Sequence, residues 1–187
     1  MTPPPALPLA LHDAHLPRPE LEAATLDGEL RRVGAAWFPV DLAPGPELRA
    51  SSISRLVPPG LVAEQLTAAW LHGACARLSN PLQLCIRASQ RVRFHPAALR
   101  EVRQVVLSDD ELEAVGGVPV TAPFRTAVDL LRWPERFDAG LASAVHTLLL
   151  MADAPRAAVD SALTGPAPVP HRRRALARLA SLGLSPP

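Results

Sequence analysis

Apolar positions along this chain switch between helical and strand-like spacing, and the changes of period mark out its elements. Met1 to Ala6 is a proline-rich lead-in, and Leu7 to about His15 is predicted as a short helix. Pro17 and Pro19 open a second helix, with Glu20 and Glu22 in its first turn, where carboxylates complement the helix dipole. It frays at Gly28. From Glu29 to Asp41, Leu30, Val33, Trp37, Phe38 and Val40 are spaced as in strands and Gly34 offers a turn, so a β-hairpin is predicted. Ala43-Pro44-Gly45-Pro46 has the composition of a linker.

Beyond it, Leu61 to His72 is predicted as a helix that buries Leu61, Leu66, Ala69, Trp70 and Leu71 and stops at Gly73. Leu82 to Arg87 alternates, with Leu82, Leu84 and Ile86 on one face. Arg91 to His95 and Arg100 to Leu107 continue as strands, and Val118 to Thr121 is a short one that Pro119 confines to an edge or strand end. The last third is helical. Helices are expected from Pro123 to Leu131, from a cap at Asp138 through Leu141, Val145, Leu148 and Leu149, from Asp153 and Pro155 to about Leu163, and from about Pro170 to Leu182. The fold class is α/β (α+β). Helix followed by hairpin has the outline of the end of a winged helix, so a reduced winged-helix-like segment at 7–42 precedes a mixed-sheet α/β domain at 46–187.

Composition refines this picture in two ways. Apolar residues make up 48% of the chain but aromatics only 4%, with no Tyr, so Leu, Val and Ala build the core. All 19 basic residues are Arg, and the net charge of +1 is unevenly spread: −3 over 1–50, +5 over 51–108, −5 over 109–160 and +4 over 161–187. Two basic blocks can present a phosphate-binding face despite near-neutrality. Cys75 and Cys85 give no disulfide framework and suit a reducing compartment. The N-terminus lacks the basic region of a signal peptide and no apolar run is long enough to span a membrane, so a cytoplasmic protein is expected.

The signatures of catalysis are missing: no phosphate loop, no GxGxxG, no GxSxG, no HExxH. His72 and Cys75 are three apart, as are His12 and His15, but without a paired CxxC or HxxxH they are a helix-end histidine beside a buried thiol rather than a zinc site. Asp109, Asp110 and Glu111 form a solvated cap. No catalytic residue, metal or cofactor is expected.

Several segments together carry a resemblance: Leu66-Thr-Ala-Ala-Trp-Leu-His-Gly73, the stretch Gly117 to Leu131, the strands at 82–87 and 100–107, and Asp27 to Gly34. The most specific is Thr-x-Pro-x-Arg-Thr-x-x-Asp-Leu, formed by Thr121, Pro123, Arg125, Thr126, Asp129 and Leu130. Over roughly residues 16–135 the chain resembles the AbiEi antitoxins of type IV toxin–antitoxin systems, including their transcriptional-regulator-like members. The resemblance implies a winged helix on operator DNA and an α/β antitoxin domain. It also implies a nucleotidyltransferase-like toxin inhibited functionally rather than in a tight complex. A regulator of its own locus follows, with the larger domain serving antitoxin action or a homodimer.

Candidate nucleic-acid contacts are Arg31 and Arg32 at the start of the hairpin, Arg91 and Arg93 on one strand face, and Arg172, Arg173 and Arg174 at the start of the last helix, extended one turn on by Arg178. The acids Glu20, Glu22, Asp27 and Glu29 oppose such a role for the preceding helix. Motif residues Thr121, Pro123, Arg125, Thr126 and Asp129 are expected to be structural, Arg125 and Asp129 pairing one turn apart. The alternative function is a non-catalytic protein-interaction module that has lost DNA binding.

Overall fold

Pro17 and Pro19 fix the start of α1 (Arg18–Leu26), whose one buried residue is Leu21. In the computed structural model, which describes residues 8–90, 100–165 and 169–183, this helix leads into the antiparallel hairpin β1 (Leu30–Val33) and β2 (Ala36–Pro39), with Arg31 opposite Phe38 and Arg32 opposite Trp37. The helix expected up to His15 is replaced by a strand stub and a turn. Leu11 and Trp37 exchange backbone hydrogen bonds of 2.9 Å each way, and both side chains bury with Leu21. So short a helix is marginal alone, and pairing with the hairpin prevails.

Pro46 opens α2 (Pro46–Ile53), an element that the linker composition concealed; it runs into a 3₁₀ turn at Ser54–Leu56. The helix predicted from Leu61 divides in two. Leu61 to Ala63 is extended and contributes the two-residue strand β3 (Val62–Ala63), and α3 (Gln65–Leu71) starts only afterwards. A short, wholly buried apolar run fits either period, and the sheet claims it.

The main sheet also contains β4 (Leu82–Arg87), β5 (Arg100–Val105), β6 (Leu112–Val115) and β7 (Val118–Thr121), in the order β5-β4-β3-β7-β6. Pairs β4–β5 and β3–β7 are parallel, whereas β3–β4 and β6–β7 are antiparallel. β7 is therefore not an edge strand, so of the two places expected for Pro119, edge or strand end, the second remains, Pro119 following the first residue of β7. It tolerates proline because β3 meets it only at the pair Ala63–Val120. The strand expected at Arg91–His95 lies outside the described residues.

The C-terminal helices are α4 (Pro123–Arg132), α5 (Ala139–Met151), α6 (Arg156–Thr164) and α7 (Arg172–Ser181). Leu130, Leu131, Leu148, Leu163 and Leu179 fill the core among them. A second core packs Leu84, Leu61, Ile53 and Trp70 together, with Val33 and Ala35 of the hairpin against it. The hairpin turn is thus seated in the larger body: a Cβ on Gly34, whose φ is +58°, falls 2.5 Å from Ser52 Oγ and 2.9 Å from the Trp70 ring. No helix among the described residues is long and apolar enough to cross a membrane.

Candidate functional site

Among the described residues, ion pairs gather in a buried cluster where β3, β5 and α4 converge. Glu64, at the N-cap of α3 and 1% exposed, accepts from Arg103 of β5 through both carboxylate oxygens, at 2.6 Å from Nε and from Nη2. Asp129 of α4, equally buried, accepts from Arg125 Nε at 2.9 Å and from Arg132 Nη1 at 3.2 Å, with Arg103 Nη2 3.9 Å away. Arg125 reaches on to Glu111 at 2.8 Å. The Arg103 guanidinium lies 4.2 Å from the centre of the Trp133 ring, whose edge meets His171. Gln65, the first residue of α3, takes a left-handed backbone, φ +48°, strain of the kind that clusters at functional sites.

Burial pushes the Glu64 carboxyl above the ordinary glutamate range, although Arg103 pulls the other way. Burial would also raise Glu111, but hydrogen bonds from the Ser108 backbone and Arg125 outweigh it and hold that carboxyl low. Burial likewise pushes the neighbouring Cys85 thiol far up, removing it as a nucleophile. Three carboxylates face three guanidinium groups here, and their oxygens accept from them or, for Glu111 Oε2, from Ser108. Such a cluster ties β3, β5 and α4 together; a general base or metal ligand needs a lone pair free to reach its target. Among the described residues no group of three or more His, Cys, Asp or Glu side chains could hold a metal ion.

The motif residues meet at this junction. The Thr126 hydroxyl lies 2.8 Å from Thr121 O and 2.7 Å from the Thr121 hydroxyl, Pro123 opens α4, and Arg125 with Asp129 belongs to the cluster. His72 closes the other side: its Nε2 donates to Thr121 O at 2.8 Å, while Nδ1 is 3.3 Å from Glu113.

Among the described residues, the predicted nucleic-acid contacts stand on two separate elements, β1 and α7. Arg31 turns inward and donates to Val40 O and Leu42 O, closing the loop after β2. Arg32 is exposed and stacks on Trp37, 5.3 Å from the ring centre. Arg91 and Arg93 lie outside the described residues. Arg172, Arg173 and Arg174 are exposed at the start of α7, behind an N-cap His171 in the left-handed region, and Arg172 donates to Thr164 O at 3.3 Å. Arg178 does not extend that face. It is buried and donates to the carbonyl of Leu131 in the last turn of α4 and to those of Pro134 and Glu135 just beyond it, because α7 turns its Ala175–Leu179 side to the core.

Sequence reasoning passed over Glu64, Arg103 and Arg55. The first two stand 39 residues apart and only the fold unites them. Arg55 follows α2, and beside Arg32 it lines a hollow between the hairpin and the larger body. A lone arginine after an unrecognised helix gives no signal in the sequence.

Residues 61–181 match the family model described as the AbiEi antitoxin C-terminal domain. Among solved structures, the chain is similar to the RV2827C protein from Mycobacterium tuberculosis, with 19% identity and a TM-score of 0.50 over 94% of this chain and 73% of that one. At that identity the likeness shows a shared fold. No curated protein matches the chain.

Proposed function

Because the chain belongs to the AbiEi antitoxin family, we propose that it is an antitoxin-type transcriptional regulator that binds operator DNA with its N-terminal segment. The larger domain supplies antitoxin action against a nucleotidyltransferase-like toxin without a tight complex, in the cytoplasm and without catalysis. The supporting observation is the grouping of α1, the hairpin β1–β2 and the Leu11 stub paired with Trp37, which has the outline of part of a winged helix. Its outward cation Arg32 has no hydrogen-bond or ion-pair partner among the described residues, which leaves its guanidinium to phosphate. The first turn of α7, with Arg172 to Arg174, is a second contact.

Fluorescence anisotropy on the upstream DNA of the gene tests this reading across a range of salt concentrations. Binding should weaken steeply with salt, and Arg32→Ala should lower the slope of log K against log salt by about 0.9 for each phosphate that is no longer neutralised. Arg31→Ala should instead lower stability with little change in slope. Salt-independent binding, or none, would reject the DNA reading.

One observation favours a protein-interaction module that has lost DNA binding. The outer face of α1 and its exit carry Glu20, Glu22, Asp27 and Glu29, and Leu26 is 89% exposed. That face repels phosphate and suits a basic protein surface with an apolar centre. A stable complex with the product of a neighbouring gene, broken by Leu26→Asp and indifferent to nucleic acid, would establish it in place of the first.

A further inference from the structure

The hollow between the hairpin and the larger body has a volume of about 400 Å³ and draws its walls from both. Arg32 and Trp37 come from the hairpin strands, His12, Asp13 and Arg18 from the segment before and at the start of α1, and Arg55 from the 3₁₀ turn after α2. The charges there do not balance. Arg18 is paired with Glu22 at 2.7 Å and also has Asp13, the one acid of the lining, nearby. Arg32 and Arg55 are exposed, and neither has a hydrogen-bond or ion-pair partner among the described residues.

Two guanidinium groups without an ion-pair partner among the described residues therefore border one concave space from separate elements, where a bound anion would answer both charges. Arg32 is already held by its stacking on Trp37, a side chain only 4% exposed, so part of the ordering cost is met before any ligand arrives. Guanidinium forks match the paired oxygens of a phosphate group, and the hollow is large enough for a phosphorylated small molecule.

We propose that this hollow is a binding site for a phosphate group, gripped by Arg32 from the hairpin and Arg55 from the body. Two sources share the chemistry: a free phosphate or phosphorylated small molecule, and a phosphate of a DNA backbone. The site deepens the DNA reading without depending on it. Either ligand bridges the hairpin and the body.

The test is thermal unfolding and calorimetric titration of the full chain with inorganic phosphate, with adenosine monophosphate and with a short DNA duplex, each against chloride at matched ionic strength. Arg32→Gln and Arg55→Gln are compared with a control, Arg136→Gln, which lies outside the hollow in the segment after α4. Phosphate should raise the unfolding midpoint above chloride. Arg32→Gln and Arg55→Gln should each weaken its apparent affinity about tenfold or more, whereas Arg136→Gln should leave it unchanged. All three altered residues are exposed, so the unliganded midpoints should stay together. Phosphate binding that follows this pattern without duplex binding would uphold the site and remove the DNA reading. No phosphate effect, or an equal one in all variants, would overturn the site.

Discussion

Buried and half-buried guanidinium groups close the ends of elements in this molecule. Arg49 gathers the carbonyls of Trp70 and Cys75 at and after the end of α3, Arg178 those of Leu131 and Pro134 at and after the end of α4, and Arg31 those of Val40 and Leu42 after β2. Helices leave their last carbonyls without partners, and a planar five-donor cation can satisfy several at once. In the ionic cluster the same side chain neutralises acids instead. Asp129→Asn keeps the shape but removes the charge that Arg125 and Arg132 answer, so it should cost about 3–5 kcal/mol in urea unfolding. A loss below about 1 kcal/mol would show that the cluster is not what ties α4 to the sheet. Glu111 carries the pH dependence. Its folded carboxyl is held below the ordinary value, so unfolding takes up a proton in the interval between the two values. Its contribution is complete above the ordinary glutamate range and is lost as the pH falls through the lowered value. The stability gap between the natural chain and Glu111→Gln, followed by denaturant melts, should accordingly close on acidification.

Elements with a clear period are legible in the sequence. β4 alternates Leu82, Leu84 and Ile86 on one face, and α4 and α5 begin at Pro123 and after Asp138 as expected. The failures have physical causes. Leu61–Gln65 is buried throughout, its polar residues Glu64 and Gln65 included, so no alternation of buried and exposed positions reveals the change from strand to helix. α2 follows a Pro-Gly-Pro run that resembles a linker. β6 begins beside the acids of the Ser108–Glu111 capping box, which hide its start. Gly34 offers a turn in the sequence, yet its importance comes from its neighbours: φ is +58° and Ser52 and Trp70 occupy the space of a side chain. Gly34→Ala should therefore cost about 1–3 kcal/mol, through backbone strain and overpacking together. Thermal melts showing an unchanged midpoint would mean that the hairpin rides free of the body.

At the scale of the whole molecule, the candidate sites are half legible. The motif at 121–130 is visible because its residues stand close together in the chain. Its partners are not, because Glu64, Arg103 and Arg55 join it or Arg32 only across the fold. Arg31 and Arg32 look alike in sequence, and strand alternation separates them. One faces the loop after β2, the other Trp37 and the hollow. The seating of Gly34 against Trp70 also bears on engineering. The hairpin shares its packing with the body, so it is not a cassette that can be exchanged by itself. A hairpin transplanted from a relative must be matched to the residues at Ser52 and Trp70.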